Sequence, residues 1–211
     1  MVVRRGHDRG VSSMFVQVVR GVVADGGAAF ARLDQWRQQL APGAAGWLGT
    51  TAGITADDEL VAFVRFATTA DARANSDRVE QGMWWAESAV VFAGDVTFDN
   101  YEEVTLFGDG GSDAAALVEV VVGRVRRPGA GPQLAQALAA QGLQLGSSVI
   151  GGLVGLHADG HLTQAVYFSD GADGLPSGSM DPRALLGSDT RVSELKLLRL
   201  ERLWFGSPDD A

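Results

Sequence analysis

The chain has 211 residues, and its 46% hydrophobic and 20% charged content is typical of a folded globular protein; no apolar run approaches the ~20 residues of a membrane-spanning helix. Its formal net charge of −9 argues against nucleic-acid binding, which relies on lysine and arginine to neutralise phosphates. The absence of cysteine excludes disulfides, thiolate catalysis and cysteine-type zinc sites, and it fits a cytoplasmic location.

The first half of the chain predicts the order βαββαβ after a polar lead. Residues 1–13 form either a flexible tail or an over-extended start ahead of Met14 as the true initiator. Apolar, β-branched runs predict strands, and apolar residues at helical spacing predict helices. The second helical region is expected to begin after a cap near Thr69. Its apolar face is formed by Val79, Met83, Ala86 and Val90. The expected elements are strands at 15–23, 47–54, 60–66 and 95–107 and helices at 28–40 and 77–92.

The chain contains an internal repeat with a spacing of 102 residues. Residues 15–66 align with residues 117–168 without a gap, and 15 of the 52 aligned pairs are identical. Four of the identical pairs are glycines, and three of these, Gly21/Gly123, Gly49/Gly151 and Gly53/Gly155, fall in predicted strands. Glycine inside a strand marks a bulge, a bend or a close backbone approach, so matched glycines indicate matched strand geometry. The second copy then diverges: 171–179 reads as a loop, 181–186 as a short helix and 195–205 as the closing strand.

The repeat predicts an α+β fold of two tandem ferredoxin-like βαββαβ modules. The expected parts are an N-terminal tail at 1–13, a first module at 14–107, a flexible linker at 108–114, a second module at 115–206 and a C-terminal tail at 207–211. The strands are apolar on both faces, so each sheet needs a cover on the side that its helices leave bare. We therefore expect the modules to pack sheet to sheet as an intramolecular dimeric α/β barrel, either as a monomer or as a homodimer through outer strands.

The βαββαβ order, the strand–helix spacing and the run Asn75–Trp85 (NSDRVEQGMWW) resemble the dimeric α/β-barrel superfamily, in particular antibiotic biosynthesis monooxygenase-like domains in a fused two-copy form. The resemblance covers residues 15–205 and implies a pocket between sheet and helices, near a tryptophan of the second helix. It implies an activity such as cofactor-independent oxygenation, haem degradation, dehalogenation or isomerisation. Haem-degrading relatives place an iron-ligating histidine in the second helix, where this chain has none, so no cofactor is expected.

The candidate catalytic residues are Asn75, Trp85 and Arg65. The resemblance implies that Asn75 holds an enolate or dioxygen, although helix capping explains it equally. Trp85 forms either an aromatic wall of the pocket or part of a packing interface. Arg65 lies in a strand expected to be covered on both sides, so it binds an anionic ligand oxygen, joins a structural ion pair or reaches water at the strand end. The candidate ligand-binding residues are Trp84, Gln17 and Arg20.

Two further clusters are interpreted as solvated. His157 and His161 flank the hairpin turn of the second copy, and only Asp159 stands nearby to complete a ligand set, so no metal is expected. The basic residues Arg124 and Arg126–Arg127 alternate at a strand end, as on a solvated edge.

Two functions stay open at this point. The chain is either a cofactor-free, monooxygenase-like enzyme acting on a small aromatic or enolisable substrate, or a non-catalytic small-molecule-binding or interaction protein that retains the barrel scaffold. Convergence of Asn75, an indole and Arg65 on one enclosed cavity would favour the enzyme.

Overall fold

The computed structural model describes residues 14–125, 131–157, 159–170 and 192–210, which form two five-stranded antiparallel sheets and four α-helices. The expected loop at 171–179, the helix at 181–186, the N-terminal tail and Arg126–Arg127 lie outside the described residues. The elements in chain order are β1 Phe15–Val22, α1 Gly26–Gln39, β2 Trp47–Ile54, β3 Glu59–Phe66, α2 Thr69–Ser76, α3 Val79–Ser88, β4 Thr97–Tyr101, β5 Glu103–Gly108, β6 Leu117–Val125, α4 Gly131–Gly142, β7 Val149–Leu156, β8 His161–Phe168, β9 Val192–Leu200 and β10 Arg202–Gly206.

The predicted repeat is present in the strand register. β2 and β3 recur 102 residues later as β7 and β8, and each pair closes as an antiparallel hairpin. The two hairpin turns place equivalent residues in the left-handed region, Asp58 with φ 58° and Gly160 with φ 95°. A turn of this kind needs positive φ, which glycine adopts freely and aspartate tolerates better than most residues.

The closing strand of each module is divided between both sheets. A single strand was expected at 95–107, but it breaks at Glu102: β4 pairs with β1, and β5 pairs with β7 of the second module. The second module reciprocates after Glu201, because β9 pairs with β6 while β10 pairs with β2. The strand orders are therefore β10-β2-β3-β1-β4 and β5-β7-β8-β6-β9, and each sheet contains one strand from the other module.

The sheets pack face to face over an apolar core, as the α+β, sheet-to-sheet prediction requires. Val16, Val18 and Phe63 of the first sheet meet Val120 and Leu200 of the second, and all five are fully or almost fully buried. A helix layer covers the other face of each sheet. Helix α4 packs Leu134 and Leu138 on the second sheet, and helices α1, α2 and α3 lie over the first.

Helix α3 presents its expected apolar face to the outside. Val79 is 76% exposed and Met83 is 61% exposed, and Val90, in the 3₁₀ turn that follows the helix, is 80% exposed. The sheet-facing side instead carries Trp84 and Trp85, whose indoles fill the space above the sheet. Helical periodicity identifies an apolar stripe, but it does not determine whether a neighbouring element covers that stripe. No helix among the described residues is long and apolar enough to cross a membrane.

Candidate functional site

A cavity of about 520 Å³ lies between the first sheet and helices α1, α2 and α3. Its floor comes from alternate residues of four strands of the first module and from Trp204 on β10, because successive side chains of a strand point to opposite faces. On β1, Phe15, Gln17 and Val19 face the cavity, while Val16 and Val18 enter the core between the sheets. The same alternation selects the floor residues on the other strands: Thr50 on β2, Leu60, Ala62, Val64 and Phe66 on β3, and Phe98 and Asn100 on β4.

Aromatic rings form one end of the cavity. The Trp85 ring stands edge-on to Phe98 with centroids 5.0 Å apart, and it lies 5.9 Å from Phe92 and 6.2 Å from Trp84. Offset and edge-to-face arrangements at these distances are favourable for aromatic pairs. A flat aromatic ligand would find the same edge and face partners here.

Arginine 32 ties α1 to α3 and orients Trp84. Its Nε donates to Ser88 Oγ at 2.9 Å and its Nη2 to the Trp84 carbonyl at 3.1 Å, while Trp84 Nε1 donates to the Arg32 carbonyl at 3.2 Å. The Trp84 indole is therefore held by the framework. Trp85 also lines the cavity, and its indole N–H has no hydrogen-bond partner among the described residues.

Asparagine 75 is buried at the junction of α2 and α3 within a hydrogen-bond network. Arg78 Nη1 donates to Asn75 Oδ1 at 3.1 Å and to the Leu40 carbonyl at 3.0 Å. Asn75 Nδ2 donates to Gln81 Oε1 at 3.4 Å, and the same oxygen accepts from Trp36 Nε1 at 2.7 Å. Asn75 lines the cavity, but both ends of its amide already have protein partners. Helix α2 is instead capped by Thr68, whose Oγ1 accepts from the Asp71 N–H, one residue before the expected cap.

The mouth of the cavity lies along the edge strand β4. Phe98, Asn100 and Glu102 line the cavity and are exposed, as is Arg73 on the facing helix α2. Gln17 Nε2 donates to Asn100 Oδ1 at 2.9 Å across β1 and β4. Asn100 was not among the candidate residues predicted from the sequence, although period-two alternation along β4 places it on the same face as Phe98.

The structure brings Asn75, Trp84, Trp85 and Gln17 together but places Arg65 and Arg20 elsewhere. Arg65 alternates with the floor residues Val64 and Phe66, so its side chain leaves on the opposite face, where Nε donates to the Gly49 carbonyl at 3.5 Å. Arg20 likewise points away and pairs with Asp99 at 3.3 Å. The expected convergence with Arg65 therefore does not occur, because strand alternation sends Arg65 to the other face of the sheet.

The histidine pair lies on the β7–β8 turn and does not line the cavity, although His161 Nδ1 is 3.8 Å from Asp99 Oδ1 on β4. His157 Nδ1 and Asp159 Oδ1 are 2.6 Å apart, and His161 Nε2 lies 2.8 Å from Arg124 Nη1. The His161 backbone N–H and the His157 side chain, in that order, hold the pKa of Asp159 at about 2. Within the described ranges, no group of three or more histidine, aspartate or glutamate side chains is arranged to hold a metal ion.

Two buried tyrosines occupy the core between the sheets rather than the cavity. The Tyr101 and Thr163 hydroxyls are 2.6 Å apart, and burial raises the pKa of Tyr101 to about 12. Burial also raises the pKa of Tyr167, with the Arg65 guanidinium acting in the opposite direction. Both phenols are therefore neutral structural groups at physiological pH.

Three solved structures share the architecture over nearly the whole chain. A "putative monooxygenase" from Fusobacterium nucleatum superposes with a TM-score of 0.69 over 93% of this chain and 95% of its own, at 10% identity. A protein of the same description from Lactobacillus acidophilus gives 0.66 over 93% and 97%, also at 10% identity. An "anthrone oxidase-like protein" gives 0.65 over 93% and 94%, again at 10% identity. The chain has their fold.

Neither a protein-family model nor a curated protein sequence matches the chain. The likeness is thus one of fold, and it confirms the predicted fold of two α+β modules fused in one chain. The three neighbours are matched over 94–97% of their own lengths, so the fused two-module arrangement is shared as a whole.

Proposed function

We propose that the chain binds a flat, enolisable aromatic molecule in the cavity and oxygenates it with molecular oxygen, without a bound cofactor. The observation that carries the proposal is the cavity itself. Its volume of about 520 Å³ lies within the range of about 300–1,000 Å³ that is typical of small-molecule sites. Its wall is aromatic at Trp84, Trp85 and Phe92, and both polar and apolar side chains line the rest.

The chemistry suits a site that supplies orientation and donors. An enolisable aryl ketone loses a proton from its methylene carbon, and the resulting enolate transfers electrons to dioxygen. The carbon keeps one oxygen atom as a new carbonyl, and the other oxygen leaves as water with the two methylene hydrogens. The protein excludes water, holds the ring and stabilises the anion with fixed donors. The free indole N–H of Trp85 is the donor assigned to this role, and Asn75 with Gln81 braces the helix junction behind it.

The names of the structural neighbours support the same reaction class. Two are described as monooxygenases and the third as anthrone oxidase-like, and anthrone is an enolisable aryl ketone. Anthrone is therefore the first substrate to test.

The test measures oxygen uptake and quinone formation from anthrone, with the uncatalysed rate in buffer subtracted. Trp85→Phe keeps a ring but removes the indole donor, and it is expected to lower the rate by roughly 10²-fold, as loss of an oxyanion donor does. Val79→Ala, on the exposed side of the same helix, is the matched control and should keep the wild-type rate. Added flavin or haem should not raise that rate. A wild-type rate equal to the buffer rate contradicts the enzymatic proposal.

The second candidate function is ligand binding without chemistry. Two observations favour it: both ends of the Asn75 amide already have partners, and Arg65 lies outside the cavity. The same samples separate the two candidates. Quenching of indole fluorescence by anthrone without accelerated oxygen uptake would establish a binding protein.

A further inference from the structure

The mouth of the cavity carries a pair of neutral amides, at a position fixed by the pairing of β1 with β4. Gln17 on β1 and Asn100 on β4 are direct cross-strand partners, and Gln17 Nε2 donates to Asn100 Oδ1 at 2.9 Å. Both side chains line the cavity, between the apolar neighbours Phe15 and Val19 on β1 and beside Phe98 on β4.

The second module carries an ion pair at the equivalent position. Glu119 follows Gln17 by the repeat spacing of 102 residues, and its cross-strand partner on β9 is Arg199. The Glu119 side chain is 0% exposed, and its Oε1 accepts from Arg199 Nη2 at 2.6 Å and from Nε at 3.0 Å. The same structural position therefore carries a pair of neutral amides in the first module and an ion pair in the second.

The two pairs leave different groups free: amide donors and acceptors in the first module, and in the second the buried Glu119 Oε2, which has no partner among the described residues. In the second module, Oε1 and the guanidinium satisfy one another. An amide pair joined by one hydrogen bond still offers an acceptor on Gln17 and a donor on Asn100, and flipping both amides leaves one of each as well. The first module also has more space on this face of the sheet, because the small residue Ala62 lines its cavity. The equivalent residue of the second module is Gln164, whose side chain donates to the Leu138 carbonyl at 3.1 Å.

We propose that the Gln17–Asn100 pair determines ligand specificity by recognising a neutral edge in which an N–H or O–H donor stands beside a carbonyl acceptor. A complementary edge forms one hydrogen bond with each amide, as in an amide dimer. This inference rests on the proposed function, because it requires that the cavity holds an aromatic ligand.

The test compares two bicyclic probes that differ in one donor. 2-Quinolone carries an N–H beside a carbonyl, and 1-methyl-2-quinolone lacks the N–H. Affinities are measured by calorimetry and by quenching of indole fluorescence. The wild-type chain is expected to prefer 2-quinolone by about 10-fold, the effect of leaving one hydrogen-bonding group unpaired.

The decisive variant transfers the ion pair of the second module into the first. Gln17→Glu with Asn100→Arg saturates the pair and should abolish the preference, while the affinity for the methylated probe stays within about 3-fold, because the aromatic wall is untouched. Asn100→Asp, on the exposed edge strand, replaces the free donor by an acceptor and provides a second variant with the same expectation. The matched control is Asp99→Asn, which changes the adjacent residue on the opposite face of β4 and should keep the wild-type preference. Circular dichroism and thermal unfolding confirm that each variant is folded.

The possible results separate this inference from the proposed function. A wild-type preference that disappears in either folded variant and persists in Asp99→Asn supports recognition by the amide pair. Two results overturn recognition by the amide pair but leave aromatic binding intact. The first is equal affinity of the wild-type chain for both probes. The second is a preference for 2-quinolone that survives both Asn100→Asp and the double variant. Failure of the wild-type chain to bind either probe, and anthrone as well, overturns the proposed function and this inference together.

Discussion

Removal of the Arg199 side chain is expected to destabilise the folded chain strongly, because the buried carboxylate of Glu119 is left without its partner. Glu119 is 0% exposed, its Oε1 accepts both of the Arg199 hydrogen bonds, and its Oε2 has no partner among the described residues. Breaking a buried pair by removing one partner costs about 3–5 kcal/mol. The Arg199 side chain is itself 37% exposed, so water reaches the vacated space and screens part of this cost. We therefore expect about 3 kcal/mol for Arg199→Ala, at the lower end of that range.

The assay is equilibrium unfolding in urea, followed by circular dichroism and by indole fluorescence. A loss of about 3 kcal/mol lowers the thermal midpoint by roughly 6–12 °C in a chain of this size. The slope of free energy against denaturant should not change, because the surface exposed on unfolding is nearly the same. The double variant Glu119→Gln with Arg199→Asn installs the amide pair of the first module and should lie within about 1 kcal/mol of the wild-type chain, since well-made neutral replacements of buried ion pairs are often tolerated.

The reasoning fails if Arg199→Ala costs less than about 1 kcal/mol, the size of an exposed ion pair. It fails equally if the double variant is as unstable as the single one, because the cost would then lie in side-chain packing and not in the unpaired charge.

Three other perturbations follow from the structure. Burial raises the pKa of Tyr101 from 10.0 to about 12, so the stability that its neutral form contributes is complete below pH 10 and is lost as the pH rises towards 12. In Tyr101→Phe, that part of the alkaline decline in the unfolding midpoint should disappear. The variant should also lose about 1 kcal/mol of stability at pH 7, because the hydrogen bond to Thr163 is removed. Gly82 in α3 has open space around an added Cβ, so Gly82→Ala should raise the free energy of unfolding in urea by about 0.5–1 kcal/mol. In contrast, the added Cβ of Gly152→Ala on β7 collides with a backbone oxygen of β8, so this variant should lose about 1–3 kcal/mol or more. If Gly152→Ala were the more stable of the two variants, the packing of these strands would be contradicted. Ala62→Gln places the larger side chain of the second module in the cavity floor, so indole fluorescence should no longer be quenched by anthrone while the chain remains folded. Quenching titrations check this expectation, and unchanged quenching would show that the ligand binds elsewhere.

Sequence alone located much of the candidate site. The run from Asn75 to Trp85 identified the helix junction and the aromatic wall, and alternation along β1 separated Gln17 from its neighbours. Alternation also puts Arg65 on the face opposite Val64 and Phe66. It does not say which face meets helices, because the strand is apolar on both sides and both faces are covered. The expectation that Asn75, an indole and Arg65 meet in one cavity was therefore wrong, because the sequence does not show which face of the strand meets the helices.

The amino-acid sequence by itself determined the repeat, the hairpins and the strand register, because these depend on local turn chemistry and on a side-chain period of two. The tertiary structure decided the rest. The breaks at Glu102 and Glu201, where each closing strand passes to the other sheet, arise from pairing between distant segments that no local pattern encodes. The exposed stripe of α3 and the cavity beneath it depend equally on which neighbour each surface meets. The duplicated sequence thus specifies two similar modules, and only their packing shows that one amide pair faces a cavity while its counterpart is closed by an ion pair.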